Sequence, residues 1–387
     1  MRRLLVLACL AWPSAAWAQH DHAAMMAAAA PAWQWRFDAQ ASLDLNDQHR
    51  KFTGSTTVES QNWFMLAATR TVGTASVALD GMFSLEPLTL PKLGAAQVFQ
   101  TGETYDRMPL IDYQHPHDLF MGLGATVSGA WSSAVRWSFT GALVGEPTLG
   151  PTAFMHRASS LGQPGAPLSH HTLDSTHITH GVLAGGVAVG AFTVEASTFH
   201  GREPDEQRFD IELGALDSYA ARVWWRRGPW AAQVSGGHLR QPDVTETSDL
   251  DRYTASVEYR GATAAVTVAV GVNHLPQLGA RSVNEGALLV DAAWRVRPHD
   301  LVFLRAELVD KDILEAGGYD PPGFVHPHPL SRVGALTLGY EHRLGAWTHY
   351  TLGLGGDVTA HRTPPNLLEN YGHPVSLHVR LILKSTY

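Results

Sequence analysis

Cysteine is almost absent from this 387-residue chain, occurring once at Cys9, so no disulfide within the chain can hold it together. Long apolar runs are missing too. Beyond the first eleven residues there is no stretch of about 18 apolar residues, which excludes a transmembrane helix. Lysine is confined to Lys51, Lys92, Lys311 and Lys384, and the formal net charge is −8, so a nucleic-acid partner has no electrostatic support. No helical period of 3.6 residues is sustained anywhere. Neither an H-E-x-x-H zinc signature nor a G-x-S-x-G nucleophile elbow occurs. The Gly145 to Pro151 turn also lacks the Lys-Ser/Thr of a phosphate-binding loop.

What is present begins with Arg2 and Arg3, the apolar run Leu4 to Ala11, and Ala16-Trp17-Ala18, the layout of a secretory signal. Cleavage is expected after Ala18. A lipoprotein cut before Cys9 would leave an apolar core of about five residues, short of the roughly 7–15 that a signal needs. Residues 19–31 then form a flexible tail carrying His20, His22, Met25 and Met26. Residues 32–387 form one domain in which alternation begins at once, leaving no room for the plug of an energised uptake receptor.

That domain reads as strands throughout. Pro374 to Tyr387 places Val375, Leu377, Val379, Leu381 and Leu383 on one face and Ser376, His378, Arg380 and Lys384 on the other. The pattern resembles the closing strand of a bacterial outer-membrane β-barrel. Comparable segments lie near 33–45, 55–71, 73–86, 118–130, 134–146, 177–189, 191–201, 215–226, 229–240, 251–260, 263–273, 284–296, 300–310, 332–343, 346–357 and 374–387. Short turns near Val72, Trp131, Gly190, Gly228, Gly261, Pro298 and Gly345 alternate with long connections at 46–54, 87–117, 147–176, 202–214, 241–250, 274–283, 311–331 and 358–373. A soluble sandwich has no reason to alternate this way. The expectation is an all-β, transmembrane antiparallel β-barrel of about sixteen strands, with short periplasmic turns and long extracellular loops. Its partners would be outer-membrane lipid, the barrel-assembly machinery acting on the last strand, and small ions or solutes.

Charges on the polar face must point inward, because at the bilayer midplane each would cost about 2–4 kcal/mol on the lipid side. Arg222, Glu258, Arg295, Arg305, Glu307, Glu341, Arg343, His378 and Arg380 are therefore expected to line a wet or salt-bridged lumen. Trp33, Trp35, Trp63, Phe64, Tyr219, Trp225, Trp230, Tyr253, Tyr259 and Tyr340 suit the aromatic girdles at the two membrane surfaces.

Histidine is in excess, 21 in all, and most fall in or beside the long connections. Candidate metal ligands are His115, His117 and Asp118, His156, His177 and His180, His326 and His328, and in the tail His20 and His22. Proline in His115-Pro116-His117 and His326-Pro327-His328 stiffens each pair. Imidazole with carboxylate and thioether suits copper or zinc better than calcium or magnesium, so no cofactor is obligatory but either ion is expected to bind. Two other readings remain: a porin-like diffusion barrel whose histidines only brace its loops, and a hydrolase built on His170, His171, Asp174, Ser175 and His177.

Three segments, Asp112 to Met121 (DYQHPHDLFM), Gly145 to Arg157 (GEPTLGPTAFMHR) and His170 to Gly181 (HHTLDSTHITHG), resemble a set found in uncharacterised proteobacterial outer-membrane proteins. Some of those are associated with copper and heavy-metal resistance. The resemblance implies the outer membrane of a Gram-negative bacterium and an association with metals; it implies no reaction.

Overall fold

A computed structural model describes residues 32–106, 108–242, 248–278, 281–314 and 330–385. The expected signal and tail, with His20 and His22, and the His326-His328 pair and Tyr387 lie outside the described residues.

Sixteen antiparallel strands close into a barrel. They are β1 (Gln34–Arg50), β2 (Thr53–Glu59 continuing as Asn62–Val72), β3 (Ala75–Phe83), β4 (Phe120–Ala130), β5 (Val135–Gly145), β6 (Thr179–Val189), β7 (Phe192–Phe199) and β8 (Ser218–Arg227), followed by β9 (Trp230–Leu239), β10 (Leu250–Arg260), β11 (Ala264–Leu278), β12 (Arg281–Arg297), β13 (Asp300–Lys311), β14 (Ser331–Ala346), β15 (Tyr350–Arg362) and β16 (Val375–Ser385). The two pieces of β2 keep one register against β1, Asp44 opposite Glu59 and Ala41 opposite Asn62, and the Ser42 amide donates to the Gln61 carbonyl at 3.0 Å across the break. Closure comes from β1 against β16, from Gln40 opposite Lys384 to His49 opposite Val375. A closed ring leaves no strand edge unpaired, the condition for a sheet in hydrocarbon.

Period two decides which side each residue faces. In β1 the inward row is Asp38, Gln40, Ser42, Asp44, Asn46 and Gln48, all buried, while Leu43 and Leu45 project outward. In β16, Leu377, Val379, Leu381 and Leu383 project outward and Arg380, Ile382 and Lys384 are buried. Exposed valine and leucine rows of this kind circle the barrel, and only a lipid surround makes them favourable. Trp35, Tyr219, Trp230, Tyr253 and Tyr340 also project outward. Trp63, expected in a girdle, instead faces inward at 4% exposure, packed edge-on against His156.

At the turn end, Gly73, Gly190 and Gly228 sit at φ of about +60°, where a side chain would be strained although nothing crowds it. The opposite, loop end departs from the expected alternation in two places. The connections 46–54 and 274–283 are not long loops: β1 and β2 pair up to Arg50 and Thr53, and β11 and β12 up to Leu278 and Arg281. Beyond the bilayer the outward face no longer has to be apolar, so alternation fades while the hydrogen-bond ladder continues. There Asp47 faces outward, bonded to His49 and Thr56.

The barrel interior is occupied. The connection 146–178 runs inside the wall, pinned strand by strand: Thr148 to Ser197 of β7, Gly150 to Ser235 of β9, Thr152 to Glu258 of β10, Ser159 to Thr267 of β11, and Ser160 to Asp291 of β12. At its deepest, Leu161 packs beside Leu301 and Phe303 near the turn end of β13. The Leu161 and Gly162 carbonyls accept from Lys384 and Arg380 of β16. The loop climbs back with the Gly165 carbonyl on Arg305 and Ser169 on Glu307. Connections 84–119 and 200–217 close over it, joined where the Leu119 amide donates to the Arg208 carbonyl and Arg208 pairs with Asp118 at 3.1 Å.

In the 200–217 connection Asp205, Asp210 and Glu212 crowd together, and burial with the bond to Asp205 pushes the Glu212 carboxyl up to about 7. A carboxyl raised in the fold adds stability that is complete below its ordinary value of 4.5 and is lost as pH rises through about 7. Limited proteolysis of this loop is therefore expected to be slower at pH 5.5 than at pH 8, with the difference flattened by Glu212→Gln.

Candidate metal centre at the loop end

Between connections 84–119, 146–178 and 200–217 lies a cavity of about 20 Å³ lined by His115, His117, His170, His177, Glu103, Asp118, Ser175, Glu203 and Arg208, among others. That volume holds about one water-sized occupant. The rings of His170 and His177 are 5.1 Å apart and those of His117 and His177 5.5 Å, with Phe154 against all three.

Each of these three imidazoles is held by its Nδ1. That of His177 lies 2.8 Å from the Asp174 carbonyl oxygen, which can only accept, so Nδ1 carries the proton. Nδ1 of His170 lies 2.8 Å from the Asp174 carboxylate. Burial works to raise Asp174, but the charge of Arg157 and the bond from His170 outweigh it and hold it at about 2. An ionised carboxylate accepts only. His117 repeats the device: its Nδ1 and its backbone amide both donate to Glu86, at 2.8 and 2.9 Å. Glu86 is buried, which works to raise it, yet the His117 charge and hydrogen bonds from His117 and the Asn62 amide hold it low.

With Nδ1 committed, the lone pair of each neutral ring is on Nε2. The Nε2 atoms of His117 and His177 are buried with no hydrogen-bond partner. Burial, together with the neighbouring imidazoles, holds His177 well below the ordinary histidine range, so it is neutral. His170 is lowered by burial as well. For His117 burial lowers too, but Glu86 outweighs it and raises the ring, so a proton would compete there for the same lone pair. An imidazole with its Nδ1–H on a carboxylate or carbonyl and its Nε2 free is the arrangement that orients a metal ligand.

The other expected ligands are placed differently. His115 is not available as a ligand, because its Nδ1 meets the Pro116 carbonyl and its Nε2 meets Glu103 at 2.5 Å; it braces that carboxylate instead. Asp118 lines the cavity but is tied to Arg208. His180 accepts from the Glu212 amide at 2.9 Å, with Nε2 3.7 Å from Asp118. His156 packs against Trp63 and does not line the cavity. Glu86, Glu103 and Glu203 went unnoticed in the sequence, where nothing marks an isolated glutamate as facing a histidine from another segment.

The expected lumen charges lie on the inward rows, and most are paired. Arg222 bonds Glu195 and Glu146, at 3.0 and 3.3 Å. Arg305 holds Asp291 at 2.8 Å, and Lys384 holds Glu341 at 2.6 Å. Arg380 and His378 share Asp357, while Glu258 and Glu307 bind the inserted loop. Arg343 reaches His299 in the turn between β12 and β13, and Arg295 is exposed near the same end.

Solved structures of similar shape follow from this geometry. An anion-selective porin of Comamonas acidovorans superposes with a TM-score of 0.58 at 11% identity, over 91% of this chain and 100% of that one. OprB of Pseudomonas putida gives 0.56 at 12%, over 92% and 94%. OmpF of Salmonella typhi in complex with daunomycin gives 0.54 at 9%, over 90% and 97%. The fold is that of outer-membrane porins. No protein-family model matches the chain, and no curated protein matches it. At such identities the likeness carries the fold and not the solute, so the lining residues must speak for function.

Proposed function

We propose that this protein is a porin-like channel or binding protein of the Gram-negative outer membrane whose loops hold a first-row transition-metal ion, copper or zinc, on His117 and His177, with His170 beside them; the three rings do not bring three donor atoms within 4.8 Å of one another. Export by a signal cleaved after Ala18, insertion through the barrel-assembly machinery and contact with outer-membrane lipid belong to the same reading. One observation carries it: three imidazoles anchored by Nδ1 surround a cavity of about 20 Å³, and two of their Nε2 atoms are buried without partners. Leaving such lone pairs unpaired costs about 1–3 kcal/mol each, which a bound ion would relieve. Imidazole nitrogen suits copper, zinc and nickel. A hydrolase is not favoured. The Ser175 hydroxyl donates to Glu203 and accepts from Arg252, and among the described residues no histidine nitrogen bonds to it.

The test is calorimetric titration of the refolded barrel with Cu(II), Zn(II) and Ni(II), in a background where His20, His22, His326 and His328 are alanine. His117→Ala with His177→Ala is expected to abolish the tight ion. Glu86→Gln, which removes the carboxylate that fixes the His117 ring, is expected to weaken it about 10–100-fold. If the background protein binds none of the three ions at micromolar metal, the histidines are scaffolding and a diffusion barrel is the better account.

A further inference from the structure

Beside the histidine chamber, Glu103, His171 and Glu203 bring one imidazole nitrogen and two carboxylate oxygens within 4.8 Å of one another. The His171 Nε2 atom is buried, has no hydrogen-bond partner and lies 4.0 Å from Glu103 Oε1. Its ring is set in place by the backbone. Gly102 has φ +113°, and a Cβ there would meet the His171 ring at 2.4 Å, so the chain closes on the imidazole as only glycine allows. Both carboxylates are positioned from outside: Glu103 by His115 Nε2 at 2.5 Å, Glu203 by the Ser175 hydroxyl at 3.2 Å.

The placement matters as much as the donors. Glu103 and Glu203 line the histidine cavity, and they also line a second cavity with His171, Arg252, Lys311 and Glu285. The two carboxylates therefore stand in the wall between two spaces, and His171 meets them from the second. Two carboxylates bring negative charge that imidazoles lack, and a mixed nitrogen and oxygen set suits a divalent first-row ion.

We propose that Glu103, His171 and Glu203 form a second cation site, for a divalent first-row ion such as Zn(II), through which the histidine chamber communicates with the cavity on its far side. The site itself stands on its own residues. Only its place after the chamber rests on the function proposed above.

The experiment counts ions. Full-length refolded barrel with His20, His22, His326 and His328 replaced by alanine is titrated with Zn(II), and with Co(II) read by visible absorption. Two ions per chain are expected, one with the intense absorption of a nitrogen-rich tetrahedral site and one weakly absorbing. Glu103→Gln with Glu203→Gln is expected to remove the weakly absorbing ion and leave the other. His117→Ala with His177→Ala should do the reverse. His171→Gln, which keeps both carboxylates, should weaken the same second ion at least about tenfold and serves where the double glutamine variant loses its heat-modifiable mobility on gels. Unchanged stoichiometry in both the Glu103/Glu203 and the His171 variants overturns the second site. Loss of an ion there, with binding intact in His117→Ala/His177→Ala, would instead overturn the chamber and leave this site standing.

Discussion

Replacing Arg157 with alanine is expected to release the 146–178 loop from the barrel wall, costing about 3–5 kcal/mol of the loop's attachment and raising single-channel conductance. The Arg157 side chain is fully buried, with Nη2 2.7 Å from Asp174 and Nη1 3.4 Å from Asp291. It thus joins the loop's own aspartate to one on β12. Without it, among the described residues Asp291 keeps Arg305 and the loop's Ser160, and the Asp174 carboxylate keeps His170, so two buried carboxylates share too little positive charge. A buried pair broken on one side loses more than the pair ever contributed, since the remaining charge stays out of water. Lysine would not rescue the variant, because one ammonium cannot present the planar fork that meets both partners. The readouts are the urea midpoint of the barrel in detergent and conductance in planar bilayers. Unchanged values in both would mean that the loop is held by its backbone contacts alone.

Excising residues 152–168 in favour of a short Gly-Ser linker is expected to have the larger effect on permeation. Sixteen strands by themselves enclose an aqueous channel. Here the deleted segment reaches the depth of Phe303 and takes hydrogen bonds from Arg305, Arg380 and Lys384. Removing it should raise ion conductance several-fold, while those three cations stay paired to Asp291, Asp357 and Glu341 of the wall. High salt should leave the conductance gain in place, because screening acts on charge and not on bore. A deletion barrel that folds and conducts no more than the parent would mean that the other loops close the pore.

Much of this was legible in the chain. The row Val375, Leu377, Val379, Leu381 and Leu383 announced an outward apolar face. Arg222, Arg305, Glu307 and Arg380 had to point inward, and the structure places them so. The two misjudged connections, 46–54 and 274–283, failed for one reason: strand and apolar alternation coincide only inside the bilayer, and these strands outlast it. Histidine enrichment in the long connections was visible, but its division of labour was not. His115 turned out to be bonded at both nitrogens, while His170, seen first only as a neighbour of Ser175, packs its ring against that of the expected ligand His177, which in turn meets His117.

By itself the sequence determined the wall, because alternation is a local backbone property enforced residue by residue by lipid outside and polar groups within. Tertiary structure alone decided what fills the wall. The Glu86 carboxylate reaches His117 across 31 residues, and Arg157 reaches Asp291 across 134, contacts that no local pattern encodes. A loop enters a lumen only where buried charges on distant strands meet its own polar groups, and that match exists only once the barrel has closed.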